Sequence, residues 1–259
     1  MRCGSGGTPA GSLVGGKIID PEAVASALRQ LLARTEILET RAMIAASDAV
    51  ATFRVLKLPP SATDQEVNAA VAKELSLDPQ RMATRWVDMQ SGPEHRVVYA
   101  ASWDRQLVKQ ITDAARLAGL EPTVVDLKSA CIARAVAEPA CVVVDMSSDP
   151  VEIFLIDGHL PQMWHSFDLN VPIGEDVAPA IATPLRSVLR FYGRRRDGEF
   201  GAKSPVLISG EHLLPAQVVT SLSELIEHPV EALPAPARVP PDVRHRTYLA
   251  CLGLIMRRS

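Results

Sequence analysis

Cys141-Val142-Val143-Val144-Asp145, then Met146-Ser147-Ser148-Asp149-Pro150, then Val151 to Gly158, is the stretch on which the reading of this chain turns. Its first five residues are apolar and mostly β-branched up to one terminal carboxylate. That composition suits a strand buried on both faces at the centre of a sheet. Val151 to Ile156 and Met163 to Phe167 read as two antiparallel partners joined by a tight turn at Asp157-Gly158. Asp145 ends the central strand and points into the loop that follows. A carboxylate there can hold Mg2+ or orient water, and it can equally cap a turn.

Working outward, strands and helices alternate. Asp20-Pro21-Glu22 opens a helix, with Asp as N-cap and Pro at the first helical position. Strands are expected near 41–46 and 51–58, the second stopped by Pro59-Pro60. Thr63 or Asp64 caps the next helix. Strands near 85–89 and 96–101 flank the turn Ser91-Gly92-Pro93, and Ser102 caps a helix that Gly119 ends. A strand at 123–127 and a helix at 129–136 lead into the central strand. Beyond it, Thr183-Pro184 starts a helix, 205–209 is a core strand, Leu214-Pro215 starts a helix, and Asp242 caps a final one. The class is α/β or α+β, with sheets covered by helices.

The 259 residues carry 47% hydrophobic and 22% charged side chains and a net charge of −3. A core of full size follows without disulfide or metal support. The charge argues against a nucleic-acid binder, although it leaves a local basic patch open. No apolar run approaches the ~20 residues of a membrane span. Residues 1–16 are rich in Gly and Ser, lack the apolar core of a signal peptide, and read as a flexible leader. Of the four cysteines, none pairs at CxxC spacing or has a histidine two to five residues away, so zinc is not indicated. Cys131, Cys141 and Cys251 sit among apolar neighbours and are expected in the core.

The usual phosphate and nucleophile motifs are absent: there is no G-x-x-x-x-G-K-[ST], no G-x-G-x-x-G and no G-x-S-x-G. His159, His165 and Asp157 outline at most a weak metal site, the alternative being polar side chains that simply face water, and His212 beside Glu211 is no stronger. Arg194-Arg195-Arg196 and Arg257-Arg258 suit a solvated helix end, with contact to anionic lipid or an acidic partner as the sharper alternative.

Five stretches in order carry a resemblance to the PilM family of type IV pilus assembly proteins, actin-like relatives of the cell-division protein FtsA. They are Gly16-Lys17-Ile18-Ile19-Asp20 leading into its helix; Arg54-Val55-Leu56-Lys57-Leu58-Pro59; Ala118-Gly119-Leu120 to Asp126 with Ser129 to Ala133; Val142 to Gly158; and Leu185 to Tyr192 with Val206 to Gly210. The resemblance spans residues 15 to about 235. It implies an actin-like (ribonuclease H-like) fold with an inserted strand-helix-strand-strand subdomain. Residues 17–40 would be a remnant of subdomain 1A, residues 41–120 the insert, and residues 121–259 the second half with a reduced 2B region. The family's N-terminal phosphate hairpin would be missing.

The resemblance also implies a cytoplasmic chain held at the membrane through a partner. PilM proteins bind the cytoplasmic tail of the bitopic membrane protein PilN. A groove near the insert would take such a tail, with Arg54, Leu56 and Leu58 as candidate contacts. The nucleotide site carried over from the family would comprise Asp145, Ser147, Ser148 and Gly210, and it departs from the pattern. The family's D-I-G turn is here Asp145-Met146-Ser147, where a side chain replaces the glycine that lets backbone approach phosphate. Asp149 adds negative charge, worth of order 1 kcal/mol against a phosphate a few Å away, and Pro150 lacks an N–H. Glu211 stands where a second glycine is usual. The expectation is a non-catalytic scaffold with no cofactor. The alternative is an active ATPase, with Asp145 positioning Mg2+, Ser147 and Ser148 on phosphate, and Gly210 at the adenosine.

Overall fold

A computed structural model describes residues 2–75, 78, 80–89, 93–147, 150–171, 176–193, 198–210, 215–236, 239–240 and 243–257. The chain divides into two compact units, Met1–Leu127 and Lys128–Ser259.

In the first unit, β1 (Leu13–Val14) and β2 (Lys17–Ile18) form a two-residue antiparallel hairpin. The stretch expected as a flexible leader therefore contains paired backbone. It also lies along the first helix: a Cβ on Gly4 would sit 2.3 Å from Thr35 Cγ2 and 3.1 Å from Leu31 Cδ1. That helix, α1 (Pro21–Thr35), is capped as its sequence predicts, with Asp20 Oδ1 accepting the Ala23 N–H at 3.0 Å. β3 (Arg41–Ala46) runs parallel to β7 (Glu121–Leu127).

Between them, β4 (Ala51–Leu58), α2 (Asp64–Glu74), β5 (Met82–Asp88) and β6 (Arg96–Asp104) build a separate antiparallel sheet in the order β4-β6-β5. Thr63 and Glu66 close a capping box on α2, which satisfies two otherwise orphaned N–H groups. α2 covers the sheet through Val67 and Val71, packed on Leu56, Val98 and Ala100. Arg96 ties the pieces together. Its guanidinium donates two bonds to Asp88 (2.7 and 2.8 Å), one to Asp64 (2.8 Å) and one to the Ala62 carbonyl (2.7 Å). These bonds hold the Asp88 carboxyl below its ordinary pKa.

Two boundaries drawn from the sequence differ. β3 pairs with β7 rather than β4, so the three-stranded subdomain starts at β4, not at residue 41. By the same pairing, residues 121–127 fold with the first unit. The cap of α3 (Arg105–Leu117) is Asp104, whose carboxylate accepts from the Gln106 and Leu107 N–H groups. Ser102, expected in that role, lies within β6 because the strand runs on to residue 104.

The second unit is one five-stranded sheet in the order β10-β9-β8-β11-β12. Its strands are β8 (Cys141–Asp145), β9 (Val151–Asp157), β10 (Leu160–Phe167), β11 (Val206–Ser209) and β12 (Val230–Ala232). β8, β9 and β10 form an antiparallel meander, and β11 and β12 add in parallel beyond β8. All twelve residues of β8 and β9 are buried. Alternation sends Val142, Val144, Ile153 and Leu155 to one face, against α5 (Ala178–Tyr192) and α6 (Pro215–Leu225). It sends Cys141, Val143, Phe154 and Ile156 to the other, against α4 (Lys128–Ala135) and α7 (Leu249–Ile255). This is why Cys141–Val144 and Ile153–Ile156 read as unbroken apolar runs.

α5 begins at Ala178, with Pro179 near its N-terminus, and Pro184 lies inside it rather than at its start. The final helix starts at Leu249; the cap expected at Asp242 lies outside the described residues. The turn between β9 and β10 is Gly158-His159, both at positive φ (61° and 59°).

Cys131 and Cys141 are buried, whereas Cys251, expected in the core, is exposed, as is Cys3. Burial, with a smaller push from Glu138, raises the Cys141 thiol to about 12. Thiolate is the reactive form. A maleimide at neutral pH should therefore modify Cys3 and Cys251 in the folded chain and reach Cys131 and Cys141 only in denaturant. Mass spectrometry of the labelled protein checks this.

Candidate functional site

The C-terminal end of β8 gathers most of the chemistry in the second unit. Asp145 and Glu152 are direct cross-strand partners on the β8–β9 hairpin. The alternation that sends Cys141 and Val143 toward α4 and α7 sends both carboxylates to the same face. Two like charges directly opposite each other in a sheet repel, and both are nearly inaccessible, at 3% and 6%. Lys128, the first residue of α4, resolves the conflict. Its ammonium lies 2.7 Å from Asp145 Oδ2 and 2.5 Å from Glu152 Oε2, and 5.6 Å from the Phe154 ring centroid. The remaining oxygens are also engaged. Asp145 Oδ1 accepts the Ser147 N–H at 3.0 Å, and Glu152 Oε1 accepts the Trp164 indole N–H at 2.9 Å. Burial works against the charged lysine, but the two carboxylates outweigh it and raise its pKa above the ordinary value.

The next loop closes on this one. Gly210 follows β11 at φ 104°. A Cβ there would lie 2.5 Å from the Met146 carbonyl carbon and 2.7 Å from the Ser147 nitrogen. Only glycine fits so close an approach, and Met146 N–H donates to the Ser209 carbonyl at 2.9 Å.

The structure thus brings Asp145, Ser147 and Gly210 together; Ser148 lies outside the described residues. A magnesium nucleotide would need the Asp145 carboxylate facing the metal and backbone N–H groups facing phosphate. Here that carboxylate is held by Lys128, the Ser147 N–H is spent on Asp145, and Gly210 rests directly on the Met146–Ser147 backbone. These residues do not fit the group.

Lys128 and Trp164 were not singled out by the sequence. The available signal was strand period: pairing β8 with β9 sets residue 145 opposite 152, two carboxylates that demand a cation. Asp157 holds a different position from the weak metal site considered for it. It accepts hydrogen bonds from Tyr192 Oη (3.0 Å) and from the N–H groups of Glu199 (2.8 Å) and Phe200 (3.1 Å). His165 stacks on Phe167 at 6.1 Å. Among the described residues no group of three His, Cys, Asp or Glu side chains could hold a metal ion. His212, Glu211 and Arg194 to Arg196 lie outside the described residues.

In the first unit, Arg54 is exposed and donates to the Phe53 carbonyl at 2.9 Å. Leu56 is buried and Leu58 half-buried, both packed into the cluster beneath α2. They are subdomain core, so Arg54 alone of the three offers its side chain to solvent. What β4 does offer is its position at the edge of the sheet. Among the described residues no helix is long and apolar enough to cross a membrane.

No family model matches the chain, and no curated protein matches it by sequence. Solved structures do match in shape. A chain of a PilM–PilN type IV pilus biogenesis complex aligns at TM-score 0.70 and 19% identity, covering 98% of this chain and 90% of its own. The cytoplasmic domain of EpsL, an inner-membrane component of the type II secretion system of Vibrio cholerae, aligns at 0.50 and 11%, covering 91% and 82%. The ethanolamine utilization protein EutJ from Carboxydothermus hydrogenoformans aligns at 0.50 and 14%, covering 95% and 78%. With these likenesses and a five-stranded sheet of three antiparallel and two parallel strands, the fold is actin-like, as expected from the resemblance.

Proposed function

We propose that this chain is a non-catalytic scaffold of a type IV pilus or related secretion platform at the inner membrane. It binds the cytoplasmic tail of a bitopic, PilN-like membrane protein and is held at the cytoplasmic face through it. The observation that carries the platform role is the likeness over 98% of the chain to a protein from a PilM–PilN complex, joined by the likeness to a secretion-system inner-membrane component. The non-catalytic part is supported by the pairing of Asp145 with Lys128. Phosphoryl transfer is positioning plus electrostatic stabilisation, and here the Asp145 oxygen that a metal would need is already engaged by the Lys128 ammonium.

An extended tail suits the edge of β4, where main-chain pairing supplies affinity and side chains on alternate positions supply selectivity. Arg54 faces solvent there. Two titrations test the proposal. A synthetic peptide of the cytoplasmic tail of the PilN-like protein from the same genome should bind, and Arg54→Glu should weaken it by roughly tenfold, on the order of 1.4 kcal/mol. Mg-ATP should give no binding heat. Micromolar Mg-ATP binding that Asp145→Ala abolishes would overturn the non-catalytic reading, and an inert tail peptide would overturn the platform reading.

A further inference from the structure

We infer that the cavity between α5 and the segment following α6 is a binding site for a phosphate group. The cavity measures about 520 Å3 and is lined by Arg186 and Arg190 of α5 and by residues 225–228. Its size is that of a small-molecule site. The lining holds two guanidiniums and one carboxylate, Glu227, so it is net positive before His228 is counted. It lies within the second unit and shares no residue with the candidate site at the end of β8.

Three side chains are placed for an anion. Arg186 Nε and Nη2 donate to the Leu225 carbonyl at 3.2 and 2.8 Å, which holds the guanidinium against the segment after α6 and leaves Nη1 for a ligand. The Arg190 guanidinium, one turn further along α5, makes no hydrogen bond or ion pair among the described residues. Like charges at this helical spacing repel, and α5 has no acidic residue to offset them. An anion shared by both guanidiniums does so. His228 is fixed from two sides: its Nδ1–H donates to the Ser204 carbonyl at 3.0 Å, and its ring stacks on Phe200 at 5.6 Å. That arrangement leaves Nε2 for a ligand.

Arginine forks match the oxygens of a phosphate, and paired charge-assisted bonds give the contact both strength and direction. The phosphate can belong to a soluble ester or to a phospholipid headgroup. Phe191, beside Arg190 and 61% exposed, suits the headgroup boundary, where an apolar ring enters lipid next to cations. The lipid source rests on the membrane placement proposed above. Phosphate recognition itself does not, and its test is independent of the tail peptide.

The experiment titrates the full chain with glycerol 3-phosphate at fixed pH, following the His228 ring by nuclear magnetic resonance, with sodium chloride of equal ionic strength as control. The His228 signals should move and saturate with the phosphate ester and stay in place with chloride. Arg190→Gln removes a guanidinium that bonds to nothing in the fold, so it should keep the wild-type melting temperature and weaken binding by roughly tenfold or more. Arg186→Gln/Arg190→Gln should abolish binding, and Arg85→Gln/Arg105→Gln, an equal loss of charge in the first unit, should leave it unchanged. Flotation with phosphatidylglycerol vesicles, against phosphatidylcholine vesicles, separates the sources. Retention that Arg190→Gln loses assigns the site to lipid, and saturable ester binding without retention assigns it to a soluble phosphate. No response to either probe, or a response that survives Arg186→Gln/Arg190→Gln, overturns the inference.

Discussion

Gly253→Ala should destabilise the second unit by at least about 3 kcal/mol, at the upper end of what overpacking costs. Gly253 sits in α7 on the backbone of α4. A Cβ there would lie 1.7 Å from the Cys131 carbonyl oxygen and 2.5 Å from its carbon. Neither atom is the end of a flexible side chain, so relief requires the helices to separate. Separation would also break the bond from Arg134 Nε to the Gly253 carbonyl, 3.0 Å long. It would open the apolar layer of Ile132, Val136 and Leu249 that covers this face of the sheet. Ordinarily alanine in place of a helical glycine stabilises by about 1 kcal/mol through propensity, so the sign of the change is itself diagnostic. Urea unfolding should show a lower midpoint at unchanged slope. Ile255→Ala, on the exposed side of the same helix, should stay within about 0.5 kcal/mol.

That contact was invisible in the sequence. Gly253 reads there as a mild blemish in an apolar stretch, and only the approach of two helices distant in the chain gives it a purpose. Local signals fared better. Asp20-Pro21-Glu22 marked one helix start and Thr63 or Asp64 another, because capping depends on residues within one turn. The β8–β9–β10 meander was legible because full burial leaves an unbroken apolar run ending in Asp145. β12 was missed: Val230–Ala232 is three residues long between Pro229 and Pro234, and only pairing with β11 makes it a strand. The start of α5 was misplaced because Pro184 looks like a first-turn proline. Pro179 already occupies that role, and Pro184 costs the helix one bond, the one its missing N–H would have made to the Ala180 carbonyl. At the candidate site, Asp145 was legible as a strand end, but the lysine that neutralises it comes from a helix 17 residues earlier. No periodicity links the two.

Asp157 shows the same division between what a residue is and what it holds, and Asp157→Ala should cost about 3–5 kcal/mol. The carboxylate is 6% exposed and accepts three hydrogen bonds: Oδ2 from the Tyr192 hydroxyl, Oδ1 from the Glu199 and Phe200 N–H groups. Truncation removes the acceptor of all three bonds, each worth about 1–3 kcal/mol when buried. It also frees residues 198–200 from the end of β9; a Cβ on Gly198 would lie 1.8 Å from Asp157 Oδ2, so that backbone is fitted to the carboxylate itself. Phe200 would loosen with it, and its ring packs edge-on against Tyr192 at 5.7 Å and stacks on His228 at 5.6 Å. Asp157→Asn keeps an oxygen for the two backbone donors and should lose about half as much. Tyr192→Phe removes one donor along with its need for a partner and should cost about 1 kcal/mol. If the three effects do not rank Ala, Asn, Phe in chemical denaturation, Asp157 is not the clamp. Hydrogen exchange separates local from global loss: the Glu199 and Phe200 amides should exchange far faster in Asp157→Ala, while the amides of β8 should slow or quicken only in step with global stability.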